Sequence, residues 1–385
     1  MKKIVIAPDS FKENLSALQV AQCIENGFKT AFPNAEYIKI PVADGGEGMV
    51  DTLLEASHGT KITQSVTSAT GEPIAAFWGL SGDNHTAMIE VAAACGLADV
   101  SPEQRNPSIT TTLGVGELIV SAWDKGVRHF IIGLGGSATN DGGAGMLQAL
   151  GARFLDKNGN ELPRGGLALA QLDRIDIAQL DTRIAQSRFD VACDVNNPLT
   201  GEHGAAHVFA PQKGATPEQV AQLDAALKHF ADIVRRDLNV EIDNIAGAGA
   251  AGGLGAAFAG FLNGHLQSGI KMITDWLRFA DAIQGADLVI TGEGRIDDQS
   301  IKGKVPVGVA QIAKQHNIPV IAIAGSLGKN VEVVHDYGID AVFSVLPKCC
   351  DLREALSMAE ANVTQTARNV AAVLAISVSL NLKIR

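Results

Sequence analysis

The sequence predicts an α/β protein: a parallel-sheet domain, interrupted along the chain by a second, inserted α/β domain. Three observations carry this. Apolar runs alternate with amphipathic segments at both ends of the chain in strand–helix–strand order, the rhythm of parallel βαβ units. Each such strand runs into a turn rich in Gly, Asp and Ser. The middle third breaks the rhythm, with alternating apolar and polar residues and frequent turn signals. The composition agrees: 41 Gly, 5% aromatic and 46% hydrophobic residues among 385 supply a large core with close strand–helix contacts.

From the N-terminus, "KKIVIAPDS" reads as a buried strand ending at Pro8. Ser16 and Gln19 then form a capping box, Val20, Ile24 and Phe28 recur at helical spacing, and Pro33 stops the helix. "EYIKIPVADGGEG" is a second strand with a Gly-rich turn, and "GMVDTLLEAS" a short helix closing near Gly59. The stretch "KITQSVTSATGEPIAAFWGLSGDNHTAMIEVAAA" reads as antiparallel or mixed strands. In the last third, "ADLVITGEG", "IPVIAIAGSLG" and "DAVFSVLP" are strands. "VPVGVAQIAKQH" and "VEVVHDYG" are the helices between them, and a long helical segment starts near Asp351. Two strands before the break and three after it make one five-stranded parallel sheet. The expected domains are therefore 1–65 plus 285–385, and 66–284 inserted between them.

Composition also excludes classes. The net charge of −11, with no Lys/Arg-rich run, argues against nucleic-acid binding. Five Cys without a CxxC pair or accompanying His cluster argue against structural zinc and a disulfide framework. "MKKIVIAPDS" reads as a strand rather than a signal peptide. "NVAAVLAISVSLNL" is shorter than the ~20 residues that span a bilayer and reads as a buried helix end or strand. The expected location is cytoplasmic. A homo-oligomer is neither required nor excluded.

Ligands of an open parallel sheet bind beyond the carboxyl ends of its strands, near the switch in strand order. That rule selects the turns "APDSFKEN" with Asp9, Ser10 and Lys12, "VADGGEG" with Asp44, Gly45, Gly46 and Glu47, "ITGEGRID", and "AGSLG". Helix capping explains any one of them; four on one rim favour a polar ligand. In "TGEGRIDDQSIKGK", Gly292 and Gly294, flanking Glu293, let backbone N–H groups approach a phosphate. Arg295 offers a planar fork for phosphate or carboxylate, Lys302 and Lys304 add point charges, and Asp297 and Asp298 suit Mg²⁺. The alternative is a solvated charged loop. In the middle, "GGSATNDGG" combines Gly135 and Gly136 with Ser137, Thr139, Asn140 and Asp141, like an anion cradle at a helix start. "GAGAAGG", with Gly252 and Gly253, serves either phosphate approach or close helix packing, with packing favoured. Asp194, just after an apolar strand, suits a general base or metal ligand, or equally an Asx-turn. No GxxxxGK[ST] is present, and no GxGxxG opens a helix after the first strand.

Across its whole length the sequence resembles the bacterial glycerate kinase family. The likeness rests on "IAPDSFKENLSA", "PVADGGEG", "RNPSITTT", "GLGGSATNDGGAGMLQALGA", "ACDVNNPL", "FAPQKGAT", "GAGAAGGLGAA" and "ITGEGRIDDQSIKGKVPVGVA", in that order. Cys95 and Val115 depart from it, where the family tends to have Ser and a small polar residue. The resemblance implies a flavodoxin-like domain interrupted by a second α/β domain. It also implies ATP as donor, Mg²⁺ as helper, the 2-hydroxyl of D-glycerate as acceptor and 2-phosphoglycerate as product, in glucarate/galactarate or glyoxylate breakdown. On that reading the 135–141 turn, helped by Gly252 and Gly253, and the 292–294 turn cradle the nucleotide phosphates. Lys12 and Arg295 hold the glycerate carboxylate or the moving phosphoryl group. Asp194 takes the hydroxyl proton, with Asp297 as rival base or metal ligand. Asp44 and Glu47 ligate Mg²⁺ or bind substrate hydroxyls, beside Asp9, Ser10, Gly45 and Gly46. The rival classes are an NAD(P)-dependent hydroxy-acid oxidoreductase and a non-catalytic solute-binding protein.

Overall fold

The computed structural model describes residues 1–12, 14–301 and 303–383, with side chains through 376. The chain divides into two compact units, Met1–Asp44 with Ile270–Arg385, and Gly45–Gly269. The expected junctions at 65/66 and 284/285 thus lie inside units. Strand Thr60–Thr67 is paired along its whole length with Pro73–Leu80, which draws 45–65 into the second unit. Ile270, on the helix Gly269–Trp276, packs on the helix Val305–Gln315, close enough that a Cβ on Gly308 would meet it at 2.2 Å; residues 270–284 accordingly belong to the first unit.

The first unit holds a five-stranded sheet in the order Ala341–Ser344, Val320–Ala324, Leu288–Gly292, Lys3–Pro8, Glu36–Lys39. Every pairing is parallel. Numbered within this unit the order is 2-1-3-4-5, the flavodoxin-like arrangement, whose strand order reverses between Lys3–Pro8 and Leu288–Gly292. Apart from Lys3 and the buried Thr291, the two strands at the reversal carry no polar side chain, and every residue but Lys3 is buried, as in parallel strands covered by helices. Helix Ala17–Lys29 starts at the expected capping box: the Gln19 amide donates to Ser16 Oγ at 3.3 Å, and the Ser16 amide donates to Gln19 Oε1 at 2.8 Å. Its Val20, Ile24 and Phe28 are completely buried with Ile4, Ile6, Ile290 and Val363.

Two elements differ from expectation. "VEVVHDYG" forms a 3-10 helix, Val331–Tyr337, closed by Gly338 at φ +101. The last helical segment is two helices, Leu352–Ser357 and Ala359–Lys383, and "NVAAVLAISVSLNL" lies in the second. It is not buried throughout: Val373 and Ile376 are 66% and 59% exposed. Among the described residues no helix is long and apolar enough to cross a membrane.

The second unit holds a six-stranded mixed sheet in the order His265–Gln267, Arg188–Ala192, His129–Gly133, Thr86–Glu90, Pro73–Leu80, Thr60–Thr67. The last two pairings are antiparallel and the rest parallel, which is why the sequence alternates there. Trp123, Phe130 and Phe189 anchor its core, the two Phe rings stacked at 4.8 Å. Cys95 and Val115 are both wholly buried in it.

Candidate active site

The switch in strand order places the ends of Lys3–Pro8 and Leu288–Gly292 side by side, Pro8 opposite Gly292. The residues that follow, Asp9 and Glu293, therefore emerge together. The Asp9 amide donates to Gly292 O at 2.8 Å, which fixes the turn. Beyond these ends, within the first unit, lies a cavity of about 520 Å³. Its charged end is lined by Asp9, Lys12, Asp44, Glu293, Arg295 and Lys304, together with Ser10 and the bare backbone of Gly294.

Asp9 is 8% exposed, and its Oδ1 accepts the Ser10 amide at 2.7 Å. Burial, then the negative charge of Asp44, push its carboxyl up to about 7; Glu293 adds to this and Lys12 opposes it. Glu293 is likewise pushed up by burial, while Ser300 Oγ, which donates to Oε1, and Lys304 pull the other way. Lys304 Nζ stands 3.6 Å from Glu293 Oε2. Three acids and three cations thus share one wall, so an incoming anion finds donors and an incoming hydroxyl finds a base.

The expected site residues divide. Asp9, Ser10, Lys12, Asp44, Glu293, Gly294 and Arg295 line this cavity. Gly292 does not: a Cβ there would sit 2.1 Å from Ile323 O, so its bareness serves the sheet. Asp297 does not line it either. Its Oδ2 lies 3.0 Å from Arg295 Nε and its Oδ1 accepts the Gln299 amide, so both oxygens have partners within its own turn. Lys302 lies outside the described residues.

In the second unit, Gly45, Gly46, Gly135 and Asp194 gather at the carboxyl rim of the mixed sheet: a Cβ on Gly45 would meet that of Ala192, and one on Gly135 would meet Gly46. Glu47 and Asp194 are exposed, and Asp194 Oδ1 accepts the Gly269 amide at 3.1 Å. The side chains of the "GGSATNDGG" turn, unlike its first glycines, face inward. Gly135 and Gly136 are exposed, but Ser137, Thr139, Asn140 and Asp141 are buried, the last three at 0–1%. Asp141 accepts the Thr112 amide and hydroxyl and the amides of Gly143 and Gly145 at 2.9–3.2 Å. It braces the turn from inside and has no face left for a phosphate. Gly252, at φ +69, lies so close to this turn that a Cβ would stand 2.0 Å from Thr139 O, and Gly253 packs on Gly142. Both glycines serve packing.

Sequence reasoning passed over Lys213. It is 2% exposed and donates to Thr139 O at 2.6 Å and Ser137 Oγ at 3.0 Å, tying down the turn. Burial pushes it down to about 8. Lysine so rarely lies inside that nothing in "FAPQKGAT" signals it. Also passed over was the far end of the cavity, lined by Val345, Leu346, Leu352, Ala355 and Leu356.

The two kinds of glycine separate experimentally. Gly252→Ala should cost about 3 kcal/mol in denaturant unfolding, from the clash and the left-handed backbone together. A Cβ on Gly294 would meet nothing closer than 3.6 Å within the fold. Gly294→Ala should therefore unfold like the parent and raise substrate KM, because it intrudes only on the cavity.

The comparisons with known proteins agree along the chain. The model of the glycerate kinase family matches residues 4–375. A glycerate kinase from Haemophilus influenzae is 56% identical over 97% of this chain and 99% of its own. A glycerate 2-kinase from Escherichia coli K12 is 54% identical over 97% and 98%. A crystal structure from Salmonella typhimurium LT2, named provisionally as glycerate kinase 2, superimposes with a TM-score of 0.92 at 55% identity, covering 98% and 99% of the two chains.

Proposed function

Because the chain belongs to the glycerate kinase family, we propose that it transfers the γ-phosphoryl group of ATP to the 2-hydroxyl of D-glycerate, giving 2-phospho-D-glycerate and ADP, in the cytoplasm where ATP is supplied. The observation that carries this reading is the buried carboxylate of Asp9 facing the same cavity as Lys12, Arg295 and Lys304. The hydroxy-acid oxidoreductase and solute-binding readings find no support among the relatives.

Phosphoryl transfer asks the protein for positioning and charge neutralisation rather than covalent chemistry. Arg295 can take the glycerate carboxylate in a planar pair, and Lys12 and Lys304 offset the charge of the moving phosphoryl group. The acceptor hydroxyl gives its proton to Asp9 as oxygen attacks phosphorus and ADP leaves. We assign the proton to Asp9 rather than to Asp194 because a base working near neutral pH needs a shielded carboxyl. Asp9 is shielded and Asp194 is exposed.

The fit for Mg²⁺ is limited on the protein side. Asp297 is held by Arg295, and among the described residues no three His, Cys, Asp or Glu side chains group so as to hold a metal ion. Mg²⁺ would then come with the nucleotide and would supply neutralisation of phosphate charge, leaving Lys12, Arg295 and Lys304 as the protein's share.

Phosphorus NMR of the product from D-glycerate and MgATP tests the reaction: the 2-phosphate resonance is expected, and the 3-phosphate would overturn the regiochemistry. Asp194→Asn should keep kcat within about tenfold of the parent, well short of the 10²–10⁴-fold that loss of a general base costs.

A further inference from the structure

The cavity in the first unit is far larger than glycerate needs, and its two ends differ in chemistry. One end is ionic. The other is walled by Val345, Leu346, Leu352, Ala355 and Leu356, with the Cys350 thiol beside them. A three-carbon acid with an oxygen on every carbon has no apolar surface to bury there. The polar groups at that end are already engaged: Asn14 Nδ2 donates to Leu356 O at 2.7 Å, and Asp351 Oδ1 accepts the Glu354 amide at 2.8 Å to start the helix Leu352–Ser357. What fits is a ligand with a flat, weakly polar head and a strongly anionic tail.

We propose that this apolar end is the nucleoside subsite: the base of the phosphoryl donor lies against the 345–356 segment, and its phosphate tail runs toward Lys12, Arg295 and Lys304. This rests on the kinase reading above and deepens it, moving the donor from the 135–141 turn, whose side chains are sealed, to the first unit. The segment owes its position to the sheet. Strand Ala341–Ser344 forms the edge, and the chain leaving it must cross the carboxyl ends of its neighbours to reach the helix Leu352–Ser357. The Asn14 contact pins that helix to the turn carrying Lys12. Base and phosphate contacts are therefore set by one piece of structure.

Cys350 gives a direct readout, because it lines the cavity, whereas its exposed neighbour Cys349 does not. In the otherwise intact chain, iodoacetamide labelling of each thiol is followed by mass spectrometry with saturating MgADP or with D-glycerate. MgADP should slow labelling of Cys350 about tenfold, with Cys349 changed far less, and D-glycerate alone should leave Cys350 nearly unprotected. Leu346→Ser and Leu356→Ser should each raise KM for ATP about tenfold, the worth of one buried leucine, with KM for glycerate unchanged. Equal protection by glycerate would overturn the assignment. So would MgADP that binds by calorimetry yet protects nothing, or leucine variants with an unaltered KM for ATP. Turnover of D-glycerate is measured on the same preparation. Its absence would remove the kinase reading, while MgADP protection would still decide the nucleoside subsite.

Discussion

Asp9→Asn should lower kcat by about 10²–10⁴-fold and at the same time raise the melting temperature at pH 8. The two effects have one cause. The Asp9 carboxyl is buried beside Asp44 and Glu293 and pushed up to about 7 from an ordinary 3.8. Between those values the folded chain holds a proton that the unfolded chain has lost. Stability from this group is therefore intact below about pH 4, falls as pH rises toward 7, and stays low above it. Over the interval the loss amounts to about 4 kcal/mol in the absence of ligands, at about 1.4 kcal/mol per pH unit. Asn cannot ionise and still accepts the Ser10 amide, so it removes that cost. Unfolding of parent and variant at pH 4.5 and pH 8, without nucleotide or divalent cation, should show a gain confined to the higher pH. In the parent, kcat/KM should drop about tenfold per pH unit below about pH 7, as the base becomes protonated. A variant that turns over normally would remove Asp9 from the reaction. One that is inactive but no more stable at pH 8 would mean that burial and the neighbouring acids do not hold the carboxyl up.

Asp141→Ala should destabilise the second unit by about 3–5 kcal/mol, the largest loss of stability expected of any single substitution here. Removing the carboxylate strands the buried amides of Thr112, Gly143 and Gly145 and the Thr112 hydroxyl, which itself accepts the Met146 amide at 2.9 Å. Burial pushes the Asp141 carboxyl up and these donors pull it back, so it is worth keeping only while all of them are in place. Asn should not rescue, because both Asp141 oxygens accept and an amide nitrogen would face a donor. Denaturant unfolding measures the loss. The fraction that remains folded should bind nucleotide with unaltered affinity. A stable variant with a raised KM for ATP would instead return Asp141 to the phosphate cradle that its surroundings suggest.

The contrast between Asp9 and Asp141 shows what the sequence can and cannot say. The five parallel strands of the first unit, the capping box at Ser16 and the turns after Lys3–Pro8 and Leu288–Gly292 were legible, because periodicity and turn chemistry are local. The rule that ligands gather where strand order reverses then pointed to turns whose Asp9, Lys12, Glu293 and Arg295 line the cavity. The burial of the 135–141 side chains was not legible, for a physical reason. Glycines that let a backbone approach a phosphate look, in one dimension, the same as glycines that let it approach Thr139 or Gly142. Burial separates them, and burial depends on residues such as Lys213 and Gly252, far away in sequence. The apolar wall at 345–356 was equally silent, since exposed leucines on a short helix imply a pocket only once the sheet has placed them over its strand ends.

Lys3–Pro8 lies against Leu288–Gly292, a partner 284 residues further along the chain. At synthesis rates of about 5–20 residues per second, the first strand leaves the ribosome some 15–60 s before that partner exists. The intervening unit has time to fold in the meantime, while Ile4 and Ile6 have only the helix Ala17–Lys29 and the strand Glu36–Lys39 for cover. Asp9 is among the first residues made, yet its surroundings close last. A nascent chain released before residue 288 would thus be catalytically empty and would carry an apolar strand paired on one edge only, with Glu36–Lys39, its other edge open as a natural handle for chaperones and proteases.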